Sequence, residues 1–262
     1  MKSLGVFLLA LLFCCGHALA FDPFAKAGVD RKEGARVPLD LAFRDETGRP
    51  TTLRQAAGGK PLLLAPVLHN CPNICGLTLA GLAEAIGIQK FIPGKDFEAV
   101  AFGIDPHEGP ADAANSLARL KAAFPAIASG IRGFTGSAEN IRAVTDALGY
   151  RYAWDESIGQ YAHIAAVAVL TPDGRLSHWL YGITPEPTDV RLALTEAGEG
   201  RIGSWGDQLL LLCYHYDPQT GRYGSTIWLM LRIAGGATAA LGVGAIGIAL
   251  LRERRKGRRA PQ

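Results

Sequence analysis

A continuous apolar run, Pro61 to Leu68, is followed closely by two cysteines, Cys71 and Cys75. An uninterrupted run of this length is typical of a strand that is buried on both faces of a sheet. The next segment, Thr78 to Phe91, carries apolar residues at helical spacing. The order of strand, loop and helix predicts an α/β fold, and it places both cysteines at the carboxyl end of a central strand, where functional groups gather in open sheets.

The rest of the chain alternates between strand and helix patterns. We expect a hairpin over residues 40–53, strands over Phe97–Ile104, Ile131–Phe134, Ile164–Leu170 and Leu176–Tyr181, and helices over Ala111–Phe124, Ala138–Leu148 and Pro187–Ala197. The sequence Thr-Pro-Asp-Gly, which ends at Gly174, predicts a turn between the last two strands. This order predicts an α/β fold with a mixed central sheet, for which the thioredoxin-like fold is the candidate.

The N-terminus has the pattern of a secretory signal peptide over residues 1–20. Lys2 supplies the positive charge, Leu4 to Cys15 is apolar, and Ala18-Leu-Ala20 offers a small-residue cleavage site. An uncleaved anchor helix is the alternative. Residues 21–36 form a short polar lead to the main domain, for which we expect the bounds 37–198.

The C-terminal part predicts a transmembrane helix over residues 227–251. Ile233 to Leu251 contains no charged residue and has an arginine on each side. At 1.5 Å per residue this stretch spans roughly 28 Å, close to the ~30 Å core of a bilayer. The alternative is a buried core helix. A glycine-rich extension, residues 199–226, would join this helix to the main domain.

Charge sets the expected orientation and excludes one class of partner. The tail, residues 252–262, has six positive charges against one negative charge, so the positive-inside rule places it in the cytoplasm. We therefore expect a protein of the bacterial inner membrane whose main domain lies in the periplasm. Residues 21–226 hold 19 Lys and Arg against 23 Asp and Glu, so the domain itself is acidic and nucleic acid is not an expected partner.

The spacing of Cys71 and Cys75 favours a metal over a disulfide. On a helix, side chains four residues apart have Cβ atoms about 5–6 Å apart, whereas a disulfide needs about 3.5–4.5 Å. Two thiolates at about 2.3 Å from one metal ion would have sulfurs about 4 Å apart. The helix N-terminus also favours thiolates. A disulfide is not forbidden, because the loop could adjust.

A metal site of this kind needs a third ligand. The candidates are the histidines of the mature chain: His69, His107, His163, His178 and His215. Two thiolates with one imidazole suit copper in either oxidation state, and also zinc. The residues alone leave the choice of histidine open, although His163 begins a predicted strand after the loop Gly159 to Ala162.

Several other residues have simpler interpretations. We expect His69 to pack or to support the loop, and His107 and His178 to lie at the surface. Trp179, Tyr181 and Trp205 are interpreted as packing or interface residues, and Trp228 as a membrane-interface anchor. For Cys213 and His215 there are two interpretations: Cys213 is a small buried thiol beside a polar turn, or the two residues form a second, transient metal contact near the membrane.

Four segments resemble, in the same order, the Sco/SenC family of copper proteins. They are HNCPNICGLTL, FGIDPHEGP, GFTGSAENI and YAHIAAVAVLTPDGRL, and together they cover about residues 37–198. The resemblance implies a thioredoxin-like fold and one copper per chain, with Cys71, Cys75 and His163 as ligands. Two features depart from the family pattern: Gly76 stands where the family usually has proline, and the membrane anchor is expected at the C-terminus.

The resemblance also implies a function, a metallochaperone that helps to assemble the copper centre of a respiratory oxidase. Its partner would be an oxidase subunit that carries a copper site, with other copper carriers or thiol reductants as further partners. The alternative is a thiol–disulfide oxidoreductase in which Cys71 attacks and Cys75 resolves, and only this role would make the protein an enzyme. A copper or redox sensor and a peroxidase are two other interpretations.

Overall fold

The protein is described from a computed structural model. The structure describes residues 26–30, 32, 34–71, 75–156, 159–199, 211, 214–225 and 227–257. The predicted signal peptide, Trp205 and Cys213 lie outside the described residues. The side chains of Cys75, His215 and Trp228 lie outside them as well, although the backbone at these positions is described.

The described residues form strands and helices in an alternating order. The strands are β1 (Gly28–Val29), β2 (Phe43–Asp45), β3 (Pro50–Thr51), β4 (Leu62–Val67), β5 (Glu98–Gly103), β6 (Ile131–Thr135), β7 (Tyr150–Arg151), β8 (Ala153–Asp155), β9 (Gln160–Ala162), β10 (Ala166–Leu170), β11 (Leu176–Tyr181), β12 (Tyr214–Asp217) and β13 (Arg222–Ser225). The helices are α1 (Leu53–Ala57), α2 (Cys75–Ile88), α3 (Pro110–Ala123), α4 (Ala138–Leu148), α5 (Pro187–Ala197) and α6 (Ile227–Gly257).

A seven-stranded mixed sheet forms the centre of the domain, in the order β11-β10-β4-β5-β6-β2-β3. The three middle strands β4, β5 and β6 are parallel, and the outer pairs are antiparallel. Every residue of β4, β5 and β10 is buried, as their apolar runs predict. The expected α/β fold with a mixed central sheet is confirmed, and it is consistent with a thioredoxin-like fold.

Most predicted elements are present, and three have the predicted bounds: α4, β11 and α5. Helix α4 begins where the Ser137 hydroxyl accepts a hydrogen bond from the Asn140 N–H at 3.2 Å, and it ends at Gly149, whose φ is +70°. Helix α2 begins at Cys75, three residues before the predicted start. Gly76 and the exposed Leu77 lack the apolar periodicity on which that prediction depended.

The loop expected before His163 is partly strand. Residues Gln160–Ala162 form β9, which pairs with β8 in the register Trp154 opposite Tyr161. Strand β10 begins at Ala166, later than the predicted Ile164, so His163 lies between two strands. Three-residue strands are too short to produce a periodic signal in the sequence.

The polar lead, residues 21–36, is docked on the domain where the structure describes it. Strand β1 pairs with β7, so that Val29 lies opposite Tyr150. The Asp30 N–H donates to the Gly149 carbonyl at 2.8 Å. The lead therefore contacts the segment that follows α4.

The second half of the predicted glycine-rich extension, residues 199–226, contains two strands. Strands β12 and β13 form an antiparallel hairpin there, with Tyr216 opposite Tyr223. The aromatic side chains of this hairpin pack against the domain: Tyr223 is buried and Tyr216 is half-buried. The prediction described this segment only by its glycines, whereas its tyrosines pack it against the domain.

The same hairpin explains the error at His178. This residue was expected at the surface, yet it is only 8% exposed. The Tyr216 ring lies over it, with ring centroids 4.1 Å apart. The expectation for His107 is confirmed, since its side chain is 82% exposed.

Helix α6 extends over 31 residues and includes the segment for which a membrane helix was predicted. Ile233, Leu241 and Val243 are exposed on it. In the described part of the chain, no helix has both the length and the apolar character needed to cross a bilayer.

The docking of the lead predicts unequal effects of alanine at two glycines. Gly149 and Gly48 both have positive φ values, but a Cβ at Gly149 would lie 2.0 Å from the Asp30 carbonyl oxygen, whereas a Cβ at Gly48 would have nothing within 4 Å. We expect Gly48→Ala to lower the free energy of unfolding by about 1–2 kcal/mol through backbone strain alone. Gly149→Ala should cost about 1–3 kcal/mol more because of the clash.

Urea denaturation of the two variants beside the parent protein measures both losses. Equal losses would show that the lead does not contact Gly149 in solution.

Candidate metal centre

The pairing of β4 with β10 places two predicted ligands at the same end of these two strands. Strand β4 leads, through Leu68 and two further residues, to Cys71. Strand β10 is antiparallel to β4, with Ala168 opposite Leu64, so the first residues of β10 lie beside the last residues of β4. His163 precedes β10 by three residues. The segments that carry Cys71 and His163 therefore meet at this end of the two strands.

The half-buried carboxylate of Glu108 holds the loop that carries Cys71. The two oxygens of Glu108 accept hydrogen bonds from the backbone N–H groups of His69, at 2.9 Å, and Asn70, at 2.7 Å. Burial raises the pKa of Glu108, while these two N–H donors act in the opposite direction. Cys71 is half-buried and packs against the hydrophobic core. The position of the first sulfur is thus fixed from two sides.

His69 supports the same loop from below, as expected for a packing role. Its ring is 2% exposed, and Nε2 lies 3.1 Å from the Phe134 carbonyl oxygen. A Cβ at Gly103 would lie 2.9 Å from the ring, so only glycine leaves room for it there. Burial lowers the pKa of His69. A neutral ring under the loop follows from this environment.

The backbone of Cys75 forms the first residue of α2. The first N–H groups of a helix have no partner within the helix, and they carry the positive end of the helix dipole. This environment favours the thiolate form of a cysteine.

His163 is held by a tyrosine that the sequence did not single out. The Tyr150 hydroxyl donates to the Ile164 carbonyl at 2.7 Å and lies 3.0 Å from His163 Nδ1. Nδ1 is also 3.2 Å from the same carbonyl. A proton on Nδ1 satisfies both acceptors, and this tautomer puts the lone pair of the imidazole on Nε2, as in histidines that bind metals.

The electrostatic environment of His163 agrees with a metal ligand. Burial lowers the pKa of its imidazole, and the Ile164 carbonyl opposes that shift only in part. The ring is therefore neutral at neutral pH, which is the form that binds a metal ion. Sulfur and imidazole donors together suit soft and borderline cations such as copper and zinc.

The complete ligand set stays a prediction. Among the residues with described side chains, no group of three or more His, Cys, Asp or Glu residues is close enough to hold a metal ion. The side chain of Cys75 is outside that set, and Cys213 and the side chain of His215 are outside it too. The described donors, Cys71 and His163, fit a copper ion by their chemistry.

Sequence reasoning missed Glu108 and Tyr150. Glu108 lies within FGIDPHEGP, but nothing in that segment marks its carboxylate as the acceptor of two backbone N–H groups. Tyr150 follows the glycine that ends α4, and nothing in the sequence distinguishes it from an ordinary core aromatic. Its role depends on a contact with a residue that lies 13 positions away.

The fold and the site together define an α/β domain with a mixed sheet, in which a cysteine and a histidine lie at the same end of two central strands. A family model described as SCO1/SenC matches residues 30–194. This match covers more than half of the chain, so the chain belongs to the SCO1/SenC family. A comparison with curated proteins finds no match.

Solved structures that are similar to this chain come from several organisms. An Aquifex aeolicus VF5 protein proposed to act in electron transfer has a TM-score of 0.56 at 25% identity, covering 64% of this chain and 95% of its own. BsSco, a member of the Sco family of cytochrome c oxidase assembly proteins in which a disulfide switch was identified, has a TM-score of 0.50 at 19% identity, covering 64% and 96%. Arabidopsis thaliana ScoI with copper bound has a TM-score of 0.47 at 20% identity, covering 68% and 96%.

Two histidines, the buried His69 and the half-buried His163, predict that the protein loses stability in mild acid. The pKa of His69 and that of His163 lie below their ordinary value of 6.5, so between the folded and unfolded pKa values the unfolded chain binds more protons. Stability that is present above about pH 6.5 is therefore lost as the pH falls towards the folded pKa values. His69→Asn should make this decline shallower, whatever its effect at pH 8.

Denaturant midpoints measured from pH 8 to pH 5 test the slope. His107→Asn is the control, because that side chain is exposed. An unchanged slope in His69→Asn would contradict the buried, neutral state of this ring.

Proposed function

We propose that the protein is a copper metallochaperone that binds one copper ion through Cys71, Cys75 and His163. One observation carries the proposal: in a chain of the SCO1/SenC family, the segments of Cys71 and His163 meet at the same end of strands β4 and β10. The cargo would pass to a copper centre of a respiratory oxidase during its assembly. The recipient would be an oxidase subunit with an empty copper site.

Each ligand has a separate support in this proposal. Cys71 lies on a loop held by Glu108, Cys75 lies at the N-terminus of α2, and His163 is oriented by Tyr150. Thiolates and a neutral imidazole prefer copper over hard cations such as magnesium or calcium. Three protein donors leave a position open for an incoming ligand, and exchange of ligands with an acceptor site needs such a position.

Metal content tests the ligand set. The purified full chain, reduced and loaded with copper, should contain one copper per chain. Cys71→Ser, Cys75→Ser and His163→Ala should each weaken copper binding by about 100-fold or more, since loss of a ligand exceeds the 10–100-fold effect of losing an outer-shell partner. Cys213→Ser should keep the copper.

Loss of copper in Cys213→Ser would contradict this ligand set, and so would its retention in His163→Ala. The His163→Ala variant also separates the proposal from a thiol–disulfide oxidoreductase. It should fail to support oxidase assembly while its disulfide exchange stays nearly normal. Normal assembly with this variant would favour the reductase role.

We also propose that residues 227–251 tether the domain to the inner membrane, with the domain in the periplasm after cleavage of residues 1–20. Support comes from the uncharged stretch between Arg232 and Arg252, from the basic tail, and from the exposed apolar side chains of α6.

Membrane fractionation tests the tether. The full chain should stay with membranes after alkaline carbonate washing, and external protease should degrade the domain in spheroplasts. Replacing Leu241 and Ile246 by lysine should release the chain, while lysines at Leu77 and Ile88, which are also exposed apolar residues, should not. Release of the parent chain by the carbonate wash would contradict the tether.

A further inference from the structure

The β12–β13 hairpin follows the residues that the family model matches, which end at 194. An isolated two-stranded hairpin is at best marginally stable in water. This hairpin has a defined turn, in which the Asp217 carboxylate accepts hydrogen bonds from the Gln219 N–H at 2.8 Å and from the Thr220 hydroxyl at 3.0 Å. Its stability must still come from contacts with the domain.

The hairpin docks on the open edge of the central sheet. Among the described residues, strand β11 is the last strand of the sheet, so no described strand pairs with the outward N–H and C=O groups of its backbone. The Tyr216 hydroxyl accepts from the Trp179 N–H at 3.0 Å and donates to the Trp179 carbonyl at 2.6 Å. One hydroxyl thus replaces both hydrogen bonds that a neighbouring strand would make at this residue.

Close backbone contact strengthens this docking. A Cβ at Gly221 would lie 2.9 Å from the Trp179 carbonyl oxygen and 3.0 Å from the Tyr181 nitrogen. Only glycine fits there, and its φ of +66° also favours glycine. The turn of the hairpin is therefore seated directly on the edge of β11.

The Trp179 side chain carries this constraint to the metal site. Trp179 is 4% exposed, and its ring stacks on Tyr150 with centroids 5.7 Å apart and planes 20° apart. Tyr150 is itself 1% exposed, so its ring has little room to move. The hydroxyl of the same ring makes the bonds that orient His163.

We propose that Tyr216 is a positioning residue for His163, acting through Trp179 and Tyr150. Tyr216 fixes the backbone of Trp179, the Trp179 ring fixes the plane of Tyr150, and the Tyr150 hydroxyl holds Nδ1 of His163. The hairpin therefore belongs to the metal site although none of its residues is a ligand in that site. The inference rests on the proposed function where it concerns copper, but the path between the residues does not depend on the metal.

The test compares two hairpin tyrosines that each lose one hydroxyl. Tyr216→Phe removes the bonds to Trp179, whereas Tyr223→Phe removes a 3.0 Å bond to Glu196 of α5 and leaves both hydrogen bonds between Tyr216 and the Trp179 backbone in place. Both variants should be less stable. Only Tyr216→Phe should change the ¹⁵N chemical shifts of the His163 ring, measured by NMR on the metal-free full chain at one fixed pH.

Copper affinity is the second measurement. Tyr150→Phe should weaken copper binding by about 10–100-fold, the usual effect of losing an outer-shell partner. Tyr216→Phe, which lies two contacts further away, should weaken it by about three- to tenfold, and Tyr223→Phe should leave it at the parent value. Each affinity is measured by competition with a copper chelator.

Two results would overturn the inference. One is an unchanged His163 signal in Tyr216→Phe, which would reduce Tyr216 to a structural role. The other is an equal change of that signal in Tyr216→Phe and Tyr223→Phe, which would show general loosening of the hairpin. A parent protein that binds no copper would refute the proposed function instead, and the NMR comparison would still decide the role of Tyr216.

Discussion

The hydrogen-bonded pairing of β4 with β10 is the constraint on which the candidate site depends. It joins segments that are about a hundred residues apart in the chain, with Leu63 opposite Val169. Both strands are completely buried, so a shift of register would leave apolar side chains without their packing partners. Because the two strands are antiparallel, the last residues of β4 lie beside the first residues of β10. The segments of Cys71 and His163 meet there for this reason, and their loops set only the final positions of the two side chains.

The parts of the fold that could be predicted are those whose signal is local. Apolar runs defined β4 and β10, and a serine followed by an amphipathic segment and a glycine defined α4. Strands β1, β7, β8 and β9 have two or three residues each, and such short strands exist only because a partner pairs with them. His178 shows the same limit, since a polar residue is buried there by an aromatic ring from the β12–β13 hairpin.

The candidate site divides in the same way. The two cysteines and His163 are predicted as ligands because donor chemistry narrows the residue types and the family motifs select among them, and this ligand set stays a prediction. The supporting residues could not, because Glu108 and Tyr150 act on backbone groups or on a ring nitrogen of residues that are distant in sequence. A carboxylate that accepts two backbone N–H bonds has no sequence signature of its own.

The supports differ in kind, and this difference bears on how a bound ion could leave. The Cys71 loop is held by two hydrogen bonds to one carboxylate, which a small movement of Glu108 would release together. His163 is held through a chain of packed rings that reaches the β12–β13 hairpin, and packed rings resist small displacements. In the proposed function, an acceptor that approaches this end of β4 and β10 would therefore meet a firmly held His163 imidazole and a more easily displaced Cys71 thiolate. If Cys71 and His163 hold copper as proposed, this asymmetry would favour exchange of the Cys71 sulfur before the His163 nitrogen.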